Sequence, residues 1–516
     1  MFFAQVVDMK ISGILMNYRI LIAIFSATSF ILILLFTNNN GAGLSPDSVG
    51  YISTARNIAS GLGVVTWGGD PLTVQPPLYP ALLAAIDYVF GMDPLESAHI
   101  VNAMLFGSIV YLGGILLDQY LKSFLIRIAG VLAIMFSIPV VHVSLMAWSE
   151  PPFICFTLLY LIFLKTYQNE VNISSILLMS LSAALASLTR YIGVTLVLTG
   201  IIGILLLRQD NLRVKFQHLF LFTFISTLPL GIWLIRNYMI SGTLFGPRSL
   251  STYSLIQNLN FVFLTITSWY MPRIIRENPS ILMTLVFAIG LVIGYYGFKE
   301  RLSKVWFHFL EFGSLVLFVV VYMSFLVISS TLVSYDRIDD RLMSPVFIPM
   351  TLLFLFLGLK AIMPLAQRYL SQKTINILFI CIFVVWFLYP SVVVTRSFLL
   401  KSMEEGLGYA SQSWRNSPTV RYLQQNPEVV SDCIVYTNDP YALYILTEIT
   451  GRMSPGKQSD ISILKGSWPG EDSVCLIWFD RIQRWYLSTI GELQTVADLN
   501  EIVRLEDGSI YSVARK

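Results

Sequence analysis

Long apolar runs separated by short polar breaks dominate the chain as far as about residue 395. A run of about 17–25 residues with few charges is long enough to cross a bilayer as a helix. Such runs stand at Leu21–Phe36, Ala98–Leu117, Leu125–Val143, Pro152–Tyr167, Ser174–Thr189, Ile192–Leu207, Phe216–Ile235, Ile281–Phe298, Phe309–Ser329, Val346–Ile362 and Ile375–Val394. They predict an α-helical polytopic membrane protein with about eleven transmembrane helices. No small-residue cleavage site follows the first run, which therefore reads as a retained anchor.

The pattern shortens between the first two runs. Ser45-Pro46-Asp47 is a helix start: a capping serine, proline at the first helical position and an acid in the first turn. Val49, Ile52, Ile58 and Ala59 give that helix an apolar stripe, and Gly61 can end it. Pro77–Phe90 is apolar but too short to cross, which suits an interfacial or re-entrant helix. Outer helices are thus expected at about 45–92. A second long outer segment, Tyr238 to Ser280, carries Gly246-Pro247-Arg248 and Trp269-Tyr270-Met271-Pro272. After the membrane module, 1–395, the pattern becomes mixed. Ser417–Gln425 looks helical, and Cys433–Thr437, Val474–Phe479 and Ile510–Val513 look like strands. Residues 396–516 therefore read as a small soluble α/β domain.

Composition sharpens this picture. The chain has 516 residues, 55% hydrophobic and 13% charged, with mean hydropathy +0.69. Soluble domains carry about 25% charged residues, so lipid is the main solvent here. A net charge of +3 is too small to indicate nucleic acid as a partner. Lys10, Arg19, Lys122, Arg127, Lys165, Arg208, Arg213, Lys215, Lys299, Arg301, Lys304, Arg368 and Lys373 fall in one set of alternate loops. The positive-inside bias makes that set cytoplasmic. The other set holds Asp47, Asp70, Asp93, Glu96 and Glu150. The N-terminus is then inside and the tail extracytoplasmic. Cys433 and Cys475 lie in the tail, where either a disulfide or two buried thiols fits.

Several charged residues stand on the outer side against that bias. Asp47 is either a helix-terminus acid or a reactive carboxylate, and Tyr51 follows one turn later on its face. Glu150 opens a span in Trp148-Ser149-Glu150-Pro151-Pro152, as a helix-start acid or a second catalytic acid. Arg190 lies between two apolar runs, snorkelling or functional. Arg236 ends a span beside Asn237, and Arg248 follows in the loop. Arg337 and Arg341 have the spacing to share a helix face, beside Asp336, Asp339 and Asp340. Guanidinium forks match phosphate oxygens in geometry and charge. Arginines at headgroup depth therefore point to a ligand with an anionic head and a lipid tail. His99, His142, His218 and His308 have no metal-ligand spacing, and no nucleotide loop, zinc motif or serine elbow occurs. No metal or cofactor is expected.

Asp47-Ser48-Val49-Gly50-Tyr51, Ala55-Arg56-Asn57, Gly61-Leu62-Gly63 and Gln75-Pro76-Pro77-Leu78-Tyr79-Pro80 together resemble the first outer loop of GT-C membrane glycosyltransferases. The resemblance is to the branch of protein O-mannosyltransferases and bacterial aminoarabinose transferases. Ser149-Glu150-Pro151, Leu188-Thr189-Arg190-Tyr191, Arg236-Asn237, Gly246-Pro247-Arg248, Arg337 and Arg341 follow in that branch's order. Tyr436-Thr437-Asn438-Asp439-Pro440 and Tyr444-Ile445-Leu446-Thr447 do so in the tail. The resemblance implies a sugar carried on a polyprenyl phosphate and transferred, with inversion, outside the cytoplasm. The acceptor is a lipid, a glycan or a protein hydroxyl. Asp47 matches the acid that activates or orients the acceptor, with Glu150 as the second catalytic candidate. Tyr51, Arg190, Arg236, Arg248, Arg337 and Arg341 are the candidates for holding the lipid phosphate. O-mannosyltransferases place a second acid directly beside the first-loop aspartate. Ser48 stands there instead, which favours the single-acid bacterial branch.

Three other readings compete. A secondary transporter places its polar residues near the midplane of two repeated halves; here they gather toward one face, without visible half-to-half symmetry. A membrane polysaccharide polymerase or ligase also handles lipid-linked sugars with outer arginines. A receptor or scaffold would use the tail as a binding domain.

Overall fold

The computed structural model describes residues 17–170, 172–207, 211–271, 302–359, 363–457, 468–470 and 473–516. In chain order the helices are α1 (Tyr18–Thr37), α2 (Pro46–Ala59), α3 (Leu78–Phe90), α4 (Pro94–Tyr120), α5 (Phe124–Met135), α6 (Ile138–Ser144) and α7 (Glu150–Asn169). There follow α8 (Ile173–Thr189), α9 (Val194–Leu206), α10 (Leu212–Ser241), α11 (Leu255–Tyr270), α12 (Leu302–Leu332), α13 (Asp340–Leu357), α14 (Gln372–Ile382) and α15 (Tyr389–Glu404). The C-terminal part adds α16 (Pro418–Gln425), β1 (Ile434–Thr437), α17 (Pro440–Thr447), β2 (Arg452–Met453), β3 (Val474–Phe479), α18 (Ile490–Val496), β4 (Ala497–Leu505) and β5 (Gly508–Arg515).

These elements fall into two compact units. One is Met1–Phe36, Thr73–Tyr79 and His99–Leu400; the other is Thr37–Leu72, Pro80–Ala98 and Lys401–Lys516. The expected tail thus shares its unit with much of the first outer segment, and the division falls at Lys401.

The first unit is a helical membrane module. Among the described residues, six helical stretches are long and apolar enough to cross a bilayer: Tyr18–Thr37, Pro94–Tyr120, Leu212–Ser241, Glu311–Leu332, Asp340–Leu357 and Gln372–Glu404. The pair α5 and α6, bent by 44°, makes a seventh if counted as one span. Its break has a local cause. Ser137 takes an extended conformation, and Pro139 lies in the first turn of α6, where its missing N–H costs least. The sequence expectation of eleven is therefore met only in part. The runs at Ser174–Thr189 and Ile192–Leu207 form apolar helices too short for that criterion. The run at Pro152–Tyr167 forms α7, whose Glu150 and Lys165 dilute its apolarity. The run at Ile281–Phe298 lies outside the described residues. Helices α7, α8 and α10 pack in series, and α13 packs against α6, α7 and α12.

The second unit is built on a five-stranded sheet of order β2-β1-β3-β5-β4. The pairings β1–β2 and β1–β3 are parallel, whereas β3–β5 and β4–β5 are antiparallel. Val474, Leu476, Leu493, Val496, Tyr511 and Val513 form its core with Trp468. Cys433 and Cys475 are disulfide-bonded, with Cα atoms 5.7 Å apart. The sequence pattern misses β4, because that edge strand is mostly exposed and rich in polar residues. Helix α2 starts as expected, since Ser45 Oγ accepts from Ser48 N–H and Ser48 Oγ accepts from Ser45 N–H.

Candidate active site

In the membrane module, Glu150 is the centre of the charged residues. It opens α7, where a negative charge is favourable, and is only 1% exposed. A buried carboxylate needs compensating charge, and two arginines supply it. Arg341 Nε donates to Glu150 Oε1 at 2.6 Å, and Arg190 Nη1 pairs with the same oxygen. Arg190 follows the last residue of α8 in extended conformation. Arg341 lies in the first turn of α13, whose N-terminus is capped by the Asp339 carboxylate. Three separate helix ends thus deliver one acid and two bases to one point. The Arg341 guanidinium lies 4.1 Å from the centre of the Trp148 ring, and Arg190 Nη1 also donates to Ser149 Oγ at 3.3 Å. Glu150 Oε2 has no hydrogen-bond partner among the described residues. The trio carries a formal charge of +1.

Tyr191, next to Arg190, organises the neighbouring group. Its hydroxyl donates to Thr73 C=O at 2.7 Å. It accepts from Trp233 Nε1 and Asn237 Nδ2, each at 3.1 Å. Arg236 stacks on Trp233 at 4.5 Å and donates to Asn237 Oδ1 at 3.0 Å. Arg248 donates to Val74 C=O at 2.8 Å and to Phe245 C=O at 3.2 Å. Gly246, at φ +75°, brings its backbone so close to Thr73 and Val74 that a Cβ would stand 2.8 Å from Val74 Cγ2. Both Arg236 and Arg248 act electrostatically on the Tyr191 phenol.

Arg337 and Arg341 do not share a helix face. The helix begins only at Asp340, because Asp339 caps it. Arg337 lies in the preceding turn, 4.3 Å from the centre of the Phe261 ring. Asp339 accepts from the backbone N–H groups of Arg341 and Leu342, and Asp340 accepts from Trp269 Nε1 at 2.7 Å. His142 stacks on Phe398 with ring centres 4.9 Å apart and meets Trp148 edge-on.

In the second unit, Asp47 occupies the first turn of α2, half-buried, and Tyr51 lies one turn on, buried. Lower in the same helix, Arg56 makes a two-pronged contact with Asp93, Nε–Oδ2 2.8 Å and Nη2–Oδ1 3.0 Å. Burial opposes the Arg56 charge, but Asp93 and Tyr444 outweigh it and hold its pKa above the ordinary value. Helix α17 packs against α2, with Trp67 edge-on to Tyr441 at 5.0 Å and stacked on Tyr444 at 5.8 Å. Burial raises the Tyr441 phenol, and the Asp47 charge raises it further. Among the described residues, no group of three or more His, Cys, Asp or Glu side chains is arranged to hold a metal.

The structure therefore joins Glu150, Arg190 and Arg341, and gathers Arg236 and Arg248 around Tyr191. Sequence reading missed Trp148, Tyr191 and Tyr441. Trp148 lies two residues before Glu150 and Tyr191 next to Arg190, so their motifs carried a signal; Tyr441 meets the helix of Asp47 only through the fold.

No family model matches this sequence, and no curated protein does. Solved structures do match. ArnT from Cupriavidus metallidurans in the apo state superposes with a TM-score of 0.58 at 11% identity, covering 95% of this chain and 97% of that one. The same protein bound to undecaprenyl phosphate gives 0.58 at 12% identity over the same shares. The archaeal oligosaccharyltransferase AglB from Archaeoglobus fulgidus, with an inhibitory peptide and a dolichol-phosphate, gives 0.52 at 8% identity. That match covers 95% of this chain and 74% of AglB. This chain thus shares the fold of ArnT and AglB.

Proposed function

We propose that this protein is a GT-C glycosyltransferase that moves a sugar from a polyprenyl-phosphate donor to an acceptor on the extracytoplasmic side of the membrane. The observation that carries the reading is the arginine pair on the buried Glu150 carboxylate. Two guanidinium groups fixed by one acid form a preorganised, net positive receptor for a phosphate. The fold is that of ArnT, which has been seen with undecaprenyl phosphate, and this supports the choice of ligand. By the resemblance of their motifs, Tyr51, Arg236, Arg248 and Arg337 remain further candidates for binding the donor.

In the reaction, the acceptor oxygen attacks the anomeric carbon as the bond to the phosphate oxygen breaks. The electron pair leaves on the lipid phosphate, where the arginines stabilise it. Asp47 takes the acceptor's proton, and attack opposite the leaving group inverts the anomeric centre. Glu150 serves the reaction through the arginines that it orients. In this reading α7, α8 and α9 also cross the membrane, and the apolar run Ile281–Phe298 of the sequence brings the total to about eleven crossings with the N-terminus cytoplasmic. The Cys433–Cys475 bond fits an oxidising compartment for the tail. A polymerase or ligase would use the same donor chemistry and differ in its acceptor.

The test uses purified protein in nanodiscs, a panel of undecaprenyl-phosphate-linked sugars and an envelope extract as acceptor source, and reads release of undecaprenyl phosphate. Wild type should release it from at least one donor. Asp47→Asn should lower that rate by roughly 10²–10⁴-fold, as for loss of a general base, with undecaprenyl phosphate affinity unchanged. Turnover of no donor, or wild-type turnover by Asp47→Asn, refutes the assignment.

A further inference from the structure

Asp47 stands in the first turn of α2, and Tyr441 stands in the first turn of α17, the helix packed against it. The rest of the second unit holds both first turns in place. Leu44, just before the α2 cap, donates its N–H to Leu407 C=O at 3.1 Å and accepts from Tyr409 N–H at 2.9 Å. Gly408 lies between those bonds at φ +59°, so close that a Cβ would stand 1.8 Å from Leu44 O. Only glycine fits there. The Tyr409 hydroxyl donates to the Asp439 carboxylate at 2.9 Å, and Asp439 is fully buried. Asp439 caps α17 by accepting from Ala442 N–H and is neutralised by Arg484 at 3.2 Å. A closed circuit of contacts runs from the α2 start through Leu44, Tyr409 and Asp439 to the α17 start. It ties the start of α17, where Tyr441 stands, to the start of α2, where Asp47 stands.

We propose that Tyr441 is the positioning residue for the Asp47 carboxylate. It fixes the acid's orientation toward the acceptor hydroxyl, and the Tyr409–Asp439–Arg484 network fixes Tyr441 in turn. The functional half of this proposal rests on the role of Asp47 given above; the contact itself does not. Burial raises the Tyr441 phenol, and the Asp47 charge raises it further. Trp67 braces the ring, so the hydroxyl can be removed while the packing stays.

The contact is tested by placing 3-fluorotyrosine at 441 and following its ¹⁹F resonance with pH in nanodiscs. In Asp47→Asn the phenol should titrate at lower pH than in the parent, because a nearby negative charge has gone. Glu150→Gln, in the other unit, should leave the titration unchanged. An unchanged titration in Asp47→Asn overturns the contact, whatever the protein's activity. The role is tested by Tyr441→Phe on the donor that wild type turns over, with rates normalised to undecaprenyl phosphate binding stoichiometry. The kcat should fall about tenfold, the loss of one charge-assisted contact, with KM for the donor unchanged. In the Asp47→Asn background the same substitution should have no further effect. Thr419→Val removes a hydrogen bond to Asp507 elsewhere in the domain and should leave kcat unchanged, which controls for general destabilisation. Wild-type kcat in Tyr441→Phe, or a loss that persists in the Asp47→Asn background, refutes the positioning role. Wild-type turnover by Asp47→Asn refutes instead the catalytic assignment on which that role rests.

Discussion

Replacing Glu150 by glutamine keeps the shape of the side chain and removes its charge. Arg190 and Arg341 then face each other across an amide, and the trio changes from +1 to +2. The cost can be bracketed. An exposed ion pair contributes about 0–1 kcal/mol, and stripping one partner from a fully buried pair costs about 3–5 kcal/mol. Glu150 is 1% exposed and the arginine side chains 18% and 12%, so the case lies nearer the buried limit. The partial hydration of the arginines brings the expected loss to about 2–4 kcal/mol. Arg341→Gln should cost less, because the Glu150–Arg190 pair survives it. In the double variant Arg190 faces two amides in place of Glu150 and Arg341, and the loss should be milder than the sum of the single losses by about 1.5–3 kcal/mol. Equilibrium unfolding in mixed detergent micelles measures all four corners of this cycle. Additivity within about 0.5 kcal/mol would show that the three charges do not act as a unit, and the preorganised phosphate receptor would lose its basis.

Two further outcomes follow from the same geometry. Arg190→Ala should weaken undecaprenyl phosphate binding by roughly 10–100-fold, the loss of one charge-assisted hydrogen bond; Arg190→Lys should recover little, because an ammonium cannot hold Glu150 and a phosphate in one plane. Direct binding by microscale thermophoresis reads both, and normal affinity in Arg190→Ala would make that residue structural. Gly408→Ala should destabilise the second unit by roughly 2–5 kcal/mol, combining left-handed backbone strain with overpacking against Leu44 O; an unchanged melting curve would contradict the bridge between Leu44 and residues 407–409.

What could be read from the sequence, and what could not, follows the range of the forces involved. The start of α2 was legible because Ser45, Pro46, Asp47 and Ser48 act on one another within a single turn. Strand β3 was legible as an apolar run, Val474–Phe479, because it is buried at the centre of its sheet. The meeting of Glu150 with Arg341 bridges 191 positions of chain, and no local periodicity encodes it. The positive-inside bias nonetheless marked both residues, because a charge near apolar spans needs a partner or a ligand. At Arg337 and Arg341 the spacing is misleading. Their spacing of four fits a helix face, but Asp339 is a better cap than Arg337 is a helical residue, and the helix begins between the two. The cap frees Arg341 to turn toward Glu150 and leaves Arg337 on Phe261. A short polar side chain competing for backbone N–H groups therefore decides which arginine joins the acid. The Asp339 cap thus sets the helix start from which Arg341 reaches Glu150.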